Sequence, residues 1–266
     1  MSRPFGVISV YDSDPAPLLG LFGDFVIFDQ ATERLRATGV LADLPNLRKA
    51  EHVGHDLKNS TDWIVENYDS LPPLVAFVKS NIVPRHVESE ETLKRLLKRQ
   101  TLTPLWNTPS MPQILPSIAS VAQEGLLLEI NNSHYLKGHA RFSSFDAFSR
   151  FVFTQSPAPQ QIWIPFAPGG CYLVPRENIR NAPRGLYEFL SYISSYQFFP
   201  PEAFLVERIL WTIFTTSSEF DTRFAEGGGW LSEIPNLGTY IGAPAGLRGN
   251  LRRMFFGGPP DNVPLR

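Results

Sequence analysis

Short apolar runs alternate with helical segments along the first hundred residues, and this alternation is the strongest constraint on the fold. The runs "FGVISVY" at 5–11, "FVIFD" at 25–29 and "LVAFVKSN" at 74–81 have the length and β-branched content of buried strands. A helical pattern over 56–68 precedes the third run, and an acidic-to-basic pattern over 88–100 predicts a surface helix after it. The alternation favours an α/β fold, which we predict to be a three-layer sandwich with a mostly parallel central sheet.

Composition limits the classes of protein that this chain can belong to. It has 266 residues, of which 43% are hydrophobic, and its net charge is −2. The length and apolar content allow a sizeable core, and the near-neutral charge argues against a nucleic-acid partner. The single cysteine, Cys171, excludes a disulfide within the chain and a zinc site built from cysteines. No signal-like segment and no run of about 20 apolar residues is present, so we expect a cytoplasmic protein.

The chain divides into two parts by composition. We predict that residues 1–216 form one α/β domain and that the Gly/Pro-rich residues 217–266 pack on it as an extension. Within the extension, "GLRGNLRRMFF" at 246–256 mixes arginines with leucine and phenylalanine, as segments that lie on anionic lipid do. Peripheral contact with the inner face of the membrane is therefore one hypothesis, and ordinary packing on the domain is the other. The oligomeric state does not follow from the sequence.

Polar residues follow the predicted strands at the points where these strands end. Ligands of open α/β sheets bind beyond the carboxyl ends of the strands, so we expect these residues to converge on one rim. They are Asp12, Asp14, Asp29, Lys79, Ser80, Asn81, Asn131, Asn132 and the turn Pro168 to Gly170. Asp12 and Asp14 have the spacing of a divalent-cation site, and a solvated turn before Pro15 is the alternative.

The segment "PPEAFLVERILWTIF" at 200–214 predicts a buried helix, because it is apolar on all faces. Glu207 and Arg208 interrupt it, and buried charges are costly unless they are paired. A structural ion pair with a neighbouring loop is one interpretation. In the other, Glu202 or Glu207 is a general base or a substrate ligand, and Arg208 binds a phosphate or holds the carboxylate.

Two further segments are candidates for ligand binding. Gly169 and Gly170 follow the strand-like run "QIWIPFA" and would let the backbone approach a ligand or adopt positive φ; a glycine-rich hairpin is the alternative. Glu129, Asn131 and Asn132 are groups of the kind that bind sugar hydroxyls, although paired asparagines also form turns. The chain carries no phosphate-binding loop, dinucleotide fingerprint or nucleophile elbow, and its histidines match no metal spacing.

Four segments together resemble an uncharacterised bacterial and fungal domain family. They are "GHDLKNSTDWIVENYDSLPPLVAFVKSN", "LEINNSHYL", "IPFAPGGCYLVPRENI" and "PPEAFLVERILW", within residues 50–215. Members of that family look like GT-A-type glycosyltransferases of surface-polysaccharide gene clusters. The resemblance implies a Rossmann-like, GT-A-like fold and transfer of a sugar from a nucleotide-sugar donor to a saccharide or lipid-linked saccharide acceptor. It also implies that Gly169 and Gly170 approach the sugar or diphosphate and that Glu202 or Glu207 is the base.

One departure from the GT-A pattern concerns the cation. GT-A enzymes commonly hold Mn²⁺ or Mg²⁺ with an Asp-x-Asp motif at the end of a central strand, but here that strand ends "FVKSN", with Lys79 where an acid is expected. Three hypotheses follow. Lys79 and Arg208 neutralise the diphosphate without a metal, or Asp12 and Asp14 bind the cation, or the chain is no transferase. In the last case it is a non-catalytic carbohydrate-binding or assembly protein with a transferase-like fold.

Overall fold

The computed structural model describes residues 3–107, 120–123, 125–130, 140–154, 163–197, 200–216, 219–225 and 229–235. The strands are β1 (Phe5–Val10), β2 (Asp24–Asp29), β3 (Leu47–Lys49), β4 (Leu74–Lys79), β5 (Thr103–Pro104), β6 (Ser120–Gln123), β7 (Leu126–Ile130), β8 (Trp163–Phe166) and β9 (Tyr172–Pro175). The helices are α1 (Ala16–Leu19), α2 (Glu33–Arg36), α3 (His55–Asn67), α4 (Ile82–Arg85), α5 (Glu90–Leu97), α6 (Phe145–Val152), α7 (Arg176–Arg180), α8 (Arg184–Ser195) and α9 (Glu202–Thr215).

The central sheet has six strands in the order β3-β2-β1-β4-β9-β5. The first four are parallel, whereas β9 runs antiparallel to both β4 and β5. The predicted α/β class with a mostly parallel sheet is therefore confirmed, and the arrangement is consistent with a Rossmann-like fold. The chain builds outward from β1 to β3 on one side and places β4 on the other. The strand order thus reverses between β1 and β4, which makes that junction the topological switch point.

Helices cover both faces of this sheet because successive strand residues point to opposite sides. Val7 and Phe77 face a core shared with α3, α8 and α9. Ile8 and Val78 face a second core shared with α5 and the short helices α1 and α2. The surface helix predicted over 88–100 is α5, and Ser89 caps it by accepting a hydrogen bond from the Thr92 backbone.

A second, antiparallel sheet with the order β6-β7-β8 packs against α9. The sequence predicted a strand at 161–167 but not this separate sheet. Asn131, Asn132 and the segment 246–256 lie outside the described residues, so the predictions made for them stay predictions. Of the extension, the described residues include Phe224 and Trp230, which are buried in the core shared with α8. Among all described residues, no helix is long and apolar enough to span a bilayer.

Candidate functional site

A cavity of about 370 Å³ opens at the carboxyl ends of β1, β2 and β4. The end of β1, the end of β4 and the start of α3 supply most of its wall. The lining residues are Ser9, Val10, Tyr11, Gln30, His52, Val53, Gly54, His55, Asp56, Lys79, Ser80, Asn81 and Arg85. The cavity thus lies at the switch point, where ligands of open α/β sheets bind.

Two cations lie on the β4 side of the cavity. The Lys79 ammonium is 3.1 Å from a carboxylate oxygen of Asp56, and Arg85 lines the same side. Burial alone would lower the pKa of Lys79, but the carboxylate of Asp56, with smaller contributions from Cys171 and Glu207, raises this pKa above its usual value. Lys79 is therefore charged at neutral pH, and the wall carries two fixed positive charges against one carboxylate.

An aromatic pair lies on the β1 side. The rings of Tyr11 and His52 are 4.9 Å apart between centroids and meet edge to face at 76°. Tyr11 is 39% exposed, and burial lowers the pKa of His52, which keeps its imidazole neutral at pH 7. A planar ligand group can stack on this pair.

A buried chain of hydrogen bonds forms the polar floor of the cavity. The Gln30 amide nitrogen donates to the carbonyls of Glu51 and Val53, at 2.6 Å and 3.2 Å. The Asn59 amide nitrogen donates to Gln30 Oε1 at 3.1 Å and to Ser9 Oγ at 3.0 Å. Asn59 is only 2% exposed, so the chain links a cavity wall to the interior of α3.

The paired glycines form a tight turn beside the cavity. Gly169 and Gly170 have φ values of 79° and 61°, which confirms the prediction that they adopt positive φ. A Cβ added to Gly169 would lie 3.0 Å from the Lys79 ammonium and 2.9 Å from His86 Nε2. The turn therefore packs directly on the side chain that supplies the cavity with charge. Burial raises the pKa of the neighbouring Cys171 thiol to about 12, so this residue is no nucleophile at neutral pH.

Glu207, which is partly exposed, and the buried Arg208 form a network away from the cavity lining. Glu207 accepts hydrogen bonds from the Gly169 amide at 2.5 Å and from Arg208 at 2.8 Å. Arg208 also pairs with Glu129 on β7 at 2.5 Å, and its guanidinium stacks on Phe166 at 4.4 Å. The charges of α9 thus tie this helix to the glycine turn and to the second sheet, which agrees with the structural interpretation of the pair.

Glu202 lies at the start of α9 and is fully buried. It accepts hydrogen bonds from the Tyr196 hydroxyl at 2.8 Å and from the Arg141 amide. Burial raises the pKa of Glu202 above its usual value, although these hydrogen bonds oppose the shift. It is not among the residues that line the cavity.

Asp12 and Asp14, the acidic pair predicted at the end of the first strand, lie in a turn. Asp12 and Asp14 are not cavity-lining residues; Asp12 accepts from Ser13, and Asp14 accepts from the Ala16 amide at 2.8 Å. Asp29 pairs with Arg36 at 2.7 Å. The described residues contain no group of three or more His, Cys, Asp or Glu side chains arranged to hold a metal ion.

Of the predicted strand-end residues, Lys79, Ser80 and Asn81 line the cavity, and Gly169 packs against Lys79. The structure thus brings only some of the residues predicted for the rim to this cavity. The lining also contains residues that were not predicted from the sequence, namely Ser9, Tyr11, His52, Asp56 and Arg85. The signal that could have found Asp56 is Gly54, since a glycine before a helix start marks a bend at which the first turn can face a strand end.

Fold and cavity together define an α/β protein with a mostly parallel sheet and a cavity at its switch point that is lined in part by charged side chains. The chain matches no protein-family model, no curated protein and no solved structure.

Proposed function

We propose that the protein is a glycosyltransferase that binds a nucleotide-activated sugar in the cavity and moves the sugar to a saccharide or lipid-linked saccharide acceptor. One observation carries the proposal: a cavity at the switch point is lined both by an aromatic pair and by two cations. A nucleoside diphosphate has the same two parts, a planar base and an anionic diphosphate. The resemblance of residues 50–215 to GT-A-like proteins is the reason for proposing that this diphosphate carries a sugar.

The spacing between the aromatic pair and the cations of the cavity fits a nucleoside diphosphate. Ser9 on β1 and Lys79 on β4 are direct partners in the sheet register. Tyr11 follows Ser9 by two residues, so it lies roughly 7 Å farther along the chain. A ribose can bridge a base on Tyr11 and a diphosphate beside Lys79.

Lys79 and Arg85 are the groups that we assign to the diphosphate. Negative charge develops on the leaving diphosphate as its bond to the sugar breaks, and fixed cations in a protected site stabilise that charge. The only carboxylate among the described lining residues is Asp56, and it already pairs with Lys79. This donor set differs from the oxygen-rich set that Mg²⁺ or Mn²⁺ prefers. Arg208 has no part in this assignment, because it is buried against Glu129 and Glu207.

Asp56 is our candidate for the general base. In the proposed reaction its carboxylate takes the proton of the acceptor hydroxyl, the hydroxyl oxygen bonds to the anomeric carbon, and the bond to the diphosphate breaks. Glu202 and Glu207 were the bases predicted from the sequence. Their hydrogen bonds to backbone amides and to Tyr196 or Arg208 support a positioning role instead.

The second candidate is a non-catalytic carbohydrate-binding or assembly protein with a transferase-like fold. The structural bonds of Glu202, Glu207 and Arg208 favour it, since all three charges predicted to act in catalysis are used in packing. Such a protein would bind a glycan but no nucleotide.

Thermal unfolding with UDP, GDP, CDP and ADP, each with and without Mn²⁺, separates the two candidates. A transferase is expected to gain roughly 5 °C or more in Tm with at least one diphosphate at 100 times its Kd. No gain with any of the four, together with binding of an oligosaccharide, would favour the non-catalytic candidate.

A further inference from the structure

In the hydrogen-bond chain beneath the cavity, the donor and the acceptor of each hydrogen bond can be assigned from the chemistry of the groups. Two backbone carbonyls face one end of the Gln30 amide, and carbonyls only accept, so that end must be the NH₂ group. Gln30 Oε1 then faces Asn59, which must present its own NH₂ group to it. The same NH₂ group reaches Ser9 Oγ, so the Ser9 oxygen acts as the acceptor.

The Ser9 hydroxyl therefore has its own proton left to donate. Ser9 is 7% exposed and lines the cavity. Within the described part of the chain, no hydrogen bond uses this proton. Because a buried donor without an acceptor is unfavourable, the Asn59 contact turns the O–H towards the open side, which is the cavity.

Two other groups near this proton favour an anion. Ser9 and Lys79 are register partners on neighbouring strands and share the sheet face that α3 covers. Helix α3 has 13 residues, its first residues line the cavity, and no side chain caps it at Gly54. A hydroxyl donor, an ammonium and the positive end of a helix thus lie near one another, and the Asp56 carboxylate in the first turn of α3 pairs with that ammonium.

We propose that Ser9 donates its hydroxyl proton to a phosphate oxygen of the ligand. Ser9, Lys79 and the amino terminus of α3 form the phosphate subsite, and Asn59 is a positioning residue that orients Ser9. The assignment of this phosphate to a nucleotide sugar rests on the proposed function, whereas the subsite itself requires only a phosphate group. In this assignment Tyr11 and His52 contact the planar base of the nucleotide.

Calorimetric titration of Ser9→Ala tests the subsite. The probes are the tightest-binding diphosphate among UDP, GDP, CDP and ADP, its nucleoside, and inorganic pyrophosphate. Loss of one hydrogen bond to a charged group should weaken diphosphate and pyrophosphate binding roughly ten- to hundredfold and leave nucleoside binding nearly unchanged. Ser60→Ala is the matched control, because the Ser60 hydroxyl is used within α3, on the Asp56 carbonyl, and binding should not change.

Asn59→Asp tests the positioning role. A carboxylate cannot donate, so it should accept the Ser9 proton and turn it away from the ligand. The added charge also repels phosphate, so the double variant with Ser9→Ala separates the two effects. If Asn59 acts through Ser9, the two losses of affinity do not multiply. The double variant then binds phosphate roughly tenfold more tightly than it would if they did. Losses that simply multiply would contradict the positioning role.

The outcomes separate failure of the subsite from failure of the proposed function. Equal losses of nucleoside and diphosphate in Ser9→Ala, or no loss of either, would overturn the subsite. Pyrophosphate binding that depends on Ser9, without binding of any nucleotide, would support the subsite and contradict the proposed function. No binding of pyrophosphate or nucleotide to the unsubstituted protein would overturn both.

Discussion

The ammonium of Lys79 lies 3.1 Å from the carboxylate of Asp56, and this ion pair joins the end of β4 to the first turn of α3. Both side chains line the cavity. The glycine turn packs on Lys79 from the other side, and Glu207 holds that turn through the Gly169 amide. The cavity wall is therefore linked to the buried charges of α9 through one glycine.

Asp56→Asn should remove sugar transfer while nucleotide binding survives. The amide cannot act as a base, so we expect a loss of roughly 10²–10⁴ in the transfer rate. Diphosphate affinity should stay equal or increase, because a negative charge leaves the cavity. Turnover of a nucleotide sugar and calorimetry on the same preparation check both parts. Normal turnover in Asp56→Asn would exclude Asp56 as the base.

Glu207→Gln should act on stability more than on chemistry. The change weakens the hydrogen bonds to the Gly169 amide and to the buried Arg208, at a cost of about 1–3 kcal/mol in the free energy of unfolding. Glu66→Gln is the control, since Glu66 forms an exposed pair with Arg48 and should cost about 0–1 kcal/mol. Urea unfolding measures both. Unchanged stability together with lost transfer would restore Glu207 as a catalytic candidate.

Gly169→Ala should weaken diphosphate binding beyond the effect of backbone strain. Gly169 and Gly39 have similar positive φ values, 79° and 76°, so alanine costs about 1–2 kcal/mol of strain at each. Only at Gly169 would the new methyl group meet the Lys79 ammonium and the His86 ring, because a Cβ at Gly39 has nothing within 4 Å. Calorimetry should thus show weaker diphosphate binding in Gly169→Ala and unchanged binding in Gly39→Ala. Equal affinities in the two variants would show that the turn does not position Lys79.

His86 should make stability depend on pH in the acidic range. Burial, with the nearby charges of Lys79 and Arg85, lowers the pKa of His86 from 6.5 to about 3. Between these values the unfolded chain binds the proton and the folded chain does not, so the His86 contribution is complete above pH 6.5. It falls by up to about 1.4 kcal/mol per pH unit as the pH decreases through this window.

Urea unfolding at pH 7, 6 and 5 measures this slope, and His86→Leu should flatten it. His52→Gln is the comparison, because burial lowers the pKa of His52 as well. Identical slopes in the His86→Leu variant and the parent would show that His86 titrates normally.

The local elements of the fold could be predicted from the sequence, whereas their pairing could not. Periodicity and end signals predict strands β1, β2 and β4 and helices α3 and α5, and the predicted bounds differ from the observed bounds by a few residues. The antiparallel direction of β9 and the separate sheet of β7 and β8 depend on contacts between distant segments. A short apolar run such as "CYLVP" contains no information about its partner strand.

The same distinction explains the candidate site. Lys79 and Asn81 were predicted because strand ends of parallel sheets meet ligands. Ser9 lies inside a strand and Asn59 in the middle of a helix, so only their packing reveals that they act together. Charges in an apolar helix need partners, so partners for Glu207 and Arg208 could be predicted. Their identities could not, because Gly169 and Glu129 are 38 and 79 residues away in the chain.

Under the proposed function, the switch-point cavity binds a nucleoside diphosphate through Lys79. Calorimetric titration of UDP, GDP, CDP and ADP into the protein and into Lys79→Met tests it most directly, with Lys94→Met as the control because Lys94 forms an exposed pair with Glu90. We expect at least one diphosphate to bind, with an affinity at least tenfold weaker in Lys79→Met and unchanged in Lys94→Met. Absence of binding for all four diphosphates, or equal affinity in Lys79→Met, would contradict it.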